Sequence, residues 1–128
     1  MNALPEFSKN PPAAEGAIAD LNVKLPEDYL DFLRLSNGGE GFLSERCYAM
    51  LWRAEELDQA NRDYHVPEQA PGLYVFGSNG GGEAFAFDLR EQNPPIVVVP
   101  FIGMELQDAL RAAATFSDFL AQGGTNLP

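Results

Sequence analysis

The sequence is poor in the residues that build disulfides, metal sites and membrane spans. It contains one cysteine and one histidine in 128 residues. Cys47 cannot form an internal disulfide, so nothing in the sequence requires an oxidising compartment. His65 cannot build a multi-histidine metal site, and no His-x-x-x-His or Cys-x-x-Cys spacing occurs. No apolar run, residues 96–99 included, approaches the roughly 18 residues of a membrane-spanning helix.

Basic residues are also scarce, because 8 Lys and Arg stand against 19 Asp and Glu and give a formal net charge of −11. A nucleic-acid-binding protein must neutralise phosphates, so this balance argues against DNA and RNA as partners, and likewise against anionic membrane surfaces. It is compatible with simple solubility or with a basic protein partner. The first residues lack the basic and apolar regions of a signal peptide, so we expect a cytoplasmic protein.

The apolar content is high enough for one folded domain. Hydrophobic residues make up 45% of the chain, which excludes intrinsic disorder as its main description. We expect an irregular N-terminal segment over residues 1–12, where prolines interrupt regular structure. A folded domain is expected over residues 13–122, followed by a loose tail over residues 123–128.

The most distinct helix is predicted over about residues 27–36. Pro26 would occupy its first helical position, where a missing N–H costs nothing. Its apolar face has i, i+3 and i+4 spacing and comprises Tyr29, Phe32 and Leu33. The run Asn37-Gly38-Gly39 should end the helix through a left-handed C-cap. Shorter helices are predicted over residues 13–21 and 54–61, and after a capping box at residues 115–118, with an apolar stripe of Phe116, Phe119 and Leu120.

Strands account for most of the remaining sequence. Residues 73–77 and 83–88 form a predicted hairpin around a glycine-rich loop that includes Gly82. Strand periodicity places Phe85 and Phe87 on one face, with Ala84 and Ala86 on the other. The β-branched run 96–100 is typical of a central strand buried on both faces. Further strands are predicted over residues 47–52 and within 110–114, and a proline-bounded loop over residues 66–71. This pattern indicates an α+β domain.

The inventory of catalytic residues is small. Cys47 fits a small buried hydrophobe and His65 fits a loop residue, and the two would form a reactive pair only if they were adjacent in space. The loop at residues 78–83 lacks the Lys-Ser/Thr of a phosphate-binding loop and precedes a strand, so a turn is favoured. Paired carboxylates could hydrolyse a substrate only if they converged in one pocket, and a solvated acidic face is the simpler interpretation. The sequence therefore predicts no catalytic residues, no cofactor and no metal ligands.

Four stretches in a characteristic order make the sequence similar to the SUKH superfamily, the group typified by a fungal cell-wall synthesis regulator. The first two are Leu25-Pro26-x-x-Tyr29-x-x-Phe32-Leu33 with Asn37-Gly38-Gly39, and Trp52 with Glu56-Leu57 and residues 61–64. The third comprises Pro71-Gly72, Phe76-Gly77, Gly82-Glu83, Phe85-x-Phe87-Asp88 and Pro95-Ile96, and the fourth is Thr115-Phe116-x-x-Phe119-Leu120. Together they extend over most of the chain.

The resemblance implies an α+β fold with a mostly antiparallel sheet and flanking helices, and it implies function by binding. Bacterial members of the superfamily are taken to be immunity proteins that neutralise cognate toxins, often nucleases or deaminases, whereas eukaryotic members resemble interaction or scaffold modules. We interpret the motif residues as architectural: Pro26, Tyr29, Phe32, Asn37, Gly38, Gly39, Gly82, Phe85, Phe87, Phe116, Phe119 and Leu120.

Acidic side chains near predicted loops and helix starts are the candidate partner-binding residues: Glu40 and Glu45, which flank a predicted loop after the glycine pair, and Glu55, Glu56, Asp58 and Glu83. Carboxylates in such places could imitate phosphates and occupy the basic cleft of a nuclease. The leading hypothesis is an immunity protein that binds a basic toxin domain without catalysis. The alternatives are a regulatory or scaffolding domain with another cellular partner, and a small carboxylate hydrolase.

Overall fold

A computed structural model describes residues 7–125, and one antiparallel sheet dominates it. The strands are β1 (Ser8–Lys9), β2 (Gly39–Ser44), β3 (Cys47–Leu51), β4 (Leu73–Ser78), β5 (Glu83–Asp88), β6 (Ile96–Pro100) and β7 (Leu110–Ala113). The helices are α1 (Glu15–Ala19), α2 (Glu27–Leu35), α3 (Ala54–Asp63), α4 (Val66–Gln69) and α5 (Phe116–Ala121), with a 3₁₀ turn at Leu106–Asp108. The seven strands lie in chain order and each is antiparallel to its neighbours. The predicted α+β fold with a mostly antiparallel sheet is confirmed.

One face of the sheet carries an aromatic core, against which residues of α1, α2, α3 and α5 pack. Its largest fully buried side chains are Tyr29, Phe76, Phe85, Phe87, Phe116 and Phe119. The Tyr29 ring centroid lies 5.0 Å from those of both Phe87 and Phe116. Aromatic pairs at this separation add to the stabilisation that burial of their large surfaces already provides. The Tyr29 hydroxyl makes no hydrogen bond within residues 7–125, and burial raises the pKa of Tyr29.

The opposite face carries a second, smaller core that covers β4, β5 and β6. It comprises Val66, Ala70, Leu73, Val75, Ala84, Ala86, Val97, Val99 and Met104, and includes no residue of β2 or β3. Phe85 and Phe87 face the aromatic core while Ala84 and Ala86 face this one, as the strand periodicity predicts. Strand β6 is buried on both faces, as its continuous β-branched sequence predicts.

The sheet divides where β3 separates from β4, because these strands pair only through Met50 with Ser78 and Leu51 with Gly77. Other groups supply the hydrogen-bond partners that β3 does not give to β4. They are the side chain of Asn61 in α3 and the backbone amide of Trp52, which precedes α3. The Asn61 Oδ1 atom accepts a hydrogen bond of 2.8 Å from the Val75 N–H, and its Nδ2 donates one of 2.9 Å to the Val75 carbonyl. The amide of Trp52 donates to the carbonyl of Phe76 at 3.0 Å. These bonds fix α3 against the sheet by satisfying backbone groups that would otherwise be buried unpaired.

The end of α2 differs from the prediction. Pro26 precedes the helix, which begins at Glu27, and the residue after the helix, Ser36, is extended with φ −151° rather than left-handed. The predicted left-handed C-cap at residues 37–39 is therefore wrong. Gly38, with φ +79°, is required instead by close approach, because a Cβ atom there would lie 2.4 Å from the Leu51 carbonyl oxygen.

Two segments predicted as loops are regular structure. Residues 66–71 contain the short helix α4, in which Pro67 stands in the first turn, where proline is tolerated. The segment after the glycine pair is strand β2, not a loop. In the structure, buried and exposed positions alternate along β2. The sequence does not show this alternation, because glycines, which have low strand propensity, occupy the buried positions 39 and 41.

Both ends of the described range, residues 7–125, contact the domain. Ser8 and Lys9, within the segment predicted to be irregular, pair with β2. Residues 123–125, assigned from the sequence to a loose tail, are buried, and Gly124 lies against Cys47. The Thr115 hydroxyl caps α5 by accepting from the Asp118 N–H at 3.0 Å, as one half of the predicted capping box requires. Residues 1–6 and 126–128 lie outside the described part.

Candidate functional site

The second core leaves the outward face of β2 and β3 open. Glu40, Phe42, Tyr48 and Met50 lie on it, in alternation with residues that face the aromatic core. Phe42 is 42% exposed, and its ring packs edge-on against Tyr48 with centroids 5.0 Å apart. The Tyr48 hydroxyl donates to the Glu40 carboxylate, which raises the pKa of Tyr48. This face thus presents aromatic surface beside a carboxylate.

A groove of about 510 Å³ runs along the exposed side of α3, next to this open face. Its lining residues are Trp52, Glu55, Glu56, Gln59, Ala60, Asp63 and Tyr64. Their spacing of three and four residues places them on one side of the helix, with the small Ala60 between the larger side chains. Three carboxyl groups line the groove and no basic residue does. Its electrostatic character is therefore acidic.

Aromatic rings form the apolar part of this groove. The rings of Trp52 and Tyr64 are nearly parallel, 6° apart, with centroids separated by 6.1 Å. Phe101 supports both, at 4.6 Å from Tyr64 and 6.4 Å from Trp52. Trp52 contacts both cores while Tyr64 remains 46% exposed. The rings therefore form a supported platform with accessible surface.

Asn37 fixes the carboxylate at the start of α3. Its Oδ1 accepts from the Ala54 N–H at 2.8 Å and so caps α3 from a distant part of the chain. Its Nδ2 donates to Glu55 Oε1, also at 2.8 Å. This hydrogen bond, the backbone N–H of Glu55 and the nearby Arg53 hold the pKa of Glu55 below its usual range. Glu55 is consequently ionised and oriented at neutral pH.

Two smaller cavities connect the groove to the open face of the sheet. One, of about 370 Å³, shares Trp52 and Glu56 with the groove and is also lined by Glu40. The other, of about 350 Å³, is lined by Glu40, Phe42 and Tyr48. We call this continuous region the acidic–aromatic surface, defined by Glu40, Phe42, Tyr48, Trp52, Glu55, Glu56, Asp63 and Tyr64.

Three of the six predicted partner-binding residues come together on the acidic–aromatic surface, namely Glu40, Glu55 and Glu56. Glu45 lies exposed in the turn between β2 and β3 and lines none of these cavities. Asp58 accepts bonds from the Tyr74 hydroxyl at 2.6 Å and the Asn22 N–H at 3.1 Å, which link α3 to its surroundings.

Glu83 lies at the glycine-rich loop, where it accepts a hydrogen bond of 2.9 Å from Asn79 Nδ2. Asn79 Oδ1 in turn accepts from the Gly81 N–H at 2.8 Å and the Glu83 N–H at 3.1 Å. The loop therefore directs backbone donors to its own side chain, as a turn does and a phosphate-binding loop does not. Asp58 and Glu83 act in local structure rather than on the acidic–aromatic surface.

Five members of the surface are not among the residues that the sequence predicts for partner binding: Phe42, Tyr48, Trp52, Asp63 and Tyr64. Trp52, Glu56, Ala60 and Tyr64 recur every fourth residue, a spacing that was available in the sequence. Asp63 lies beyond the predicted helix, which ends at residue 61, two residues before the observed end. Phe42 lies in β2, where the sequence predicts a loop instead of a strand with an outward face.

The described residues contain little that could perform chemistry. Within residues 7–125 no three His, Cys, Asp or Glu side chains are grouped so that they could hold a metal ion. Cys47 is buried beside Gly124, whereas His65 is exposed between α3 and α4. Glu55 and Asp88 have lowered pKa values, the opposite of what a general acid needs. In the same part of the chain, no helix has the length and apolarity to cross a membrane.

A comparison with protein families places most of the chain in one of them. The model of the SMI1 / KNR4 family (SUKH-1) matches residues 14–122. The match includes every residue of the acidic–aromatic surface. No curated protein matches the chain.

Proposed function

Because the chain belongs to the SMI1 / KNR4 family (SUKH-1), a family whose members generally bind proteins without catalysis, we propose that it is an immunity protein. It binds a cognate bacterial toxin with a basic surface and neutralises it in the cytoplasm by occupying that surface. No cofactor and no catalytic residue takes part. A nuclease is a fitting target, since such a toxin must carry cations that contact phosphates.

The acidic–aromatic surface is the observation that carries this proposal. Four carboxylates line it, and Arg53, the basic residue among the described lining residues of its cavities, is paired with Glu56 at 3.3 Å. Exposed Trp, Tyr and Phe side chains are characteristic of protein interfaces, where a few aromatic anchors supply most of the affinity. Carboxylates around them would accelerate encounter with a basic partner and disfavour acidic ones.

The proposal is tested by co-expressing the chain with the toxin encoded beside its gene. We expect protection of the host cell, and a complex of the purified proteins whose affinity falls as salt is raised. The double variant Glu55→Gln/Asp63→Asn should weaken the complex, because it removes two charges from the acidic–aromatic surface while keeping side-chain size.

Asp118→Asn is the matched control, since Asp118 is exposed on α5, which packs against α2 and β7 away from the groove. It also removes one carboxylate charge, so an equal loss in both variants would reflect net charge rather than this surface. Absence of both protection and a complex would contradict the immunity function. Capture of a defined cellular protein that is not a toxin would support the regulatory or scaffolding alternative.

A further inference from the structure

We infer that the groove along α3 binds an extended, arginine-bearing segment of the partner. One guanidinium stacks on the Trp52–Tyr64 platform, and arginines of the segment pair with the carboxylates of Glu55 and Asp63. This inference rests on the proposed binding function, and it specifies both the contact surface and the side chain that the surface recognises.

Two of the three carboxylates in the groove are oriented but incompletely paired. Asn37 holds Oε1 of Glu55 at 2.8 Å, and Gln59 Nε2 donates to Oδ1 of Asp63 at 2.7 Å. Within residues 7–125, the second oxygen of Asp63, Oδ2, accepts no hydrogen bond, and Oε2 of Glu55 accepts none from another residue. Each carboxylate therefore has an acceptor available for an incoming cation without reorganising.

Glu56 differs from these two carboxylates. Its Oε1 accepts from the Arg53 N–H at 3.1 Å, and its Oε2 pairs with the Arg53 guanidinium at 3.3 Å. Since Arg53 already neutralises Glu56, this carboxylate caps the N-terminus of α3 and is not available to a partner. The available negative charge is thus concentrated at the two ends of the groove.

The aromatic platform selects arginine over lysine. A guanidinium is planar, so it stacks on an aromatic face while its N–H groups, which lie in the same plane, donate to a carboxylate beside the ring. A lysine ammonium is compact and strongly hydrated, and it can make the ion pair without the stacking contact. The groove combines a supported Trp52–Tyr64 platform with carboxylates at its border, which matches the arginine geometry.

The spacing of the two carboxylates favours an extended segment. Glu55 and Asp63 are eight residues apart on α3, which corresponds to about 12 Å along a helix axis. Residues i and i+4 of an extended chain are about 13 Å apart and point to the same side. A second copy of this chain is a poor occupant, because a net charge of −11 opposes approach of the chain to its own acidic groove.

The only tryptophan of the chain, Trp52, provides the measurement. The full chain is titrated at low ionic strength with the peptide acetyl-Arg-Gly-Ser-Gly-Arg-amide and with the same peptide carrying lysine in place of arginine. We expect a saturable change in Trp52 fluorescence and a dissociation constant about fivefold lower for the arginine peptide. The variant Glu55→Gln/Asp63→Asn should bind the arginine peptide about tenfold more weakly, and Asp118→Asn as the wild type does.

Equal affinity for the two peptides, an unchanged affinity in the double variant, or no saturable response would each overturn the inference. So would concentration-dependent dimerisation of the free chain that the double variant abolishes, because the occupant would then be a second copy. The toxin experiment separates this inference from the proposed function. Protection that survives Glu55→Gln/Asp63→Asn would refute arginine recognition in the groove but not the immunity function. Arginine-selective peptide binding without protection would refute the immunity function but not arginine recognition.

Discussion

The two halves of the sheet differ in how many of their faces are covered. In the covered half, formed by β4, β5 and β6, almost every residue is buried because a core lies on each side. In the open half, formed by β2 and β3, buried positions alternate with accessible ones because only the aromatic core packs on it. Under the proposed function the two halves have different roles, since the covered half stabilises the fold and the open half presents a surface to a partner.

Matched truncations of one phenylalanine in each half give the largest expected contrast. Phe85 in β5 is fully buried in the aromatic core, whereas Phe42 in β2 is 42% exposed. Phe85→Ala should lower the free energy of unfolding by about 4 kcal/mol, because it leaves a cavity as well as losing buried surface. Phe42→Ala should cost less than about 1 kcal/mol. Urea denaturation of the two variants beside the wild type measures both values, and similar losses would refute this difference in roles.

Asn61 tests the junction at which the two halves separate. Asn61→Ala removes the partners of both the N–H and the carbonyl of Val75 in a buried position. We expect a loss of about 3 kcal/mol, since two buried backbone groups remain without hydrogen bonds. Asn93→Ala, at an exposed turn, is the matched control and should change stability by less than about 0.5 kcal/mol. A loss at Asn61 as small as the control's would mean that α3 does not complete the β4 ladder.

The covered half could be predicted from the sequence because its signals are local. The alternation of phenylalanine and alanine in β5 and the β-branched run of β6 specify which faces are buried. The open half could not be predicted as well. Gly39 and Gly41 weaken the strand signal of β2, and its outward face requires no apolar residues because the second core does not cover it.

The acidic–aromatic surface was predicted in part, because its acids lie in segments whose local structure was recognised. Glu55 and Glu56 were selected at the start of α3, but nothing local indicates that Asn37 orients Glu55 from 18 residues away. Asp58 was selected for the same local reason, although its partners are Tyr74 and Asn22. Acidic residues with similar positions in the sequence therefore have different roles, because their tertiary contacts differ. Composition and periodicity do not reveal those contacts.

The end of β5 provides a pH-dependent test within the covered half. Arg90 donates to both carboxylate oxygens of the nearly buried Asp88, at 2.9 and 2.8 Å, and thereby holds the pKa of Asp88 below its usual range. A pKa lowered by folding stabilises the protein above the unfolded pKa of about 4, and this contribution is lost as pH falls through the folded value. Asp88→Asn should thus cost about 1 kcal/mol at pH 7 and progressively less below pH about 4. Urea denaturation of the wild type and Asp88→Asn at several pH values measures this cost. A difference in the free energy of unfolding that stayed constant with pH would contradict a stabilising role of the Asp88–Arg90 pair.

Glu40, in the open half, should affect stability less than Phe85, Asn61 or Asp88 does. Glu40→Gln changes an exposed carboxylate whose hydrogen bond comes from Tyr48 on the open face. The exchange of one exposed charged partner should alter the free energy of unfolding by less than about 0.5 kcal/mol, because both side chains retain access to water. A surface that changes at so little cost in stability can vary to match different partners while the aromatic core stays constant. A loss above about 1 kcal/mol in urea denaturation would show that the open face stabilises the fold, and would remove this reason for assigning partner recognition to it.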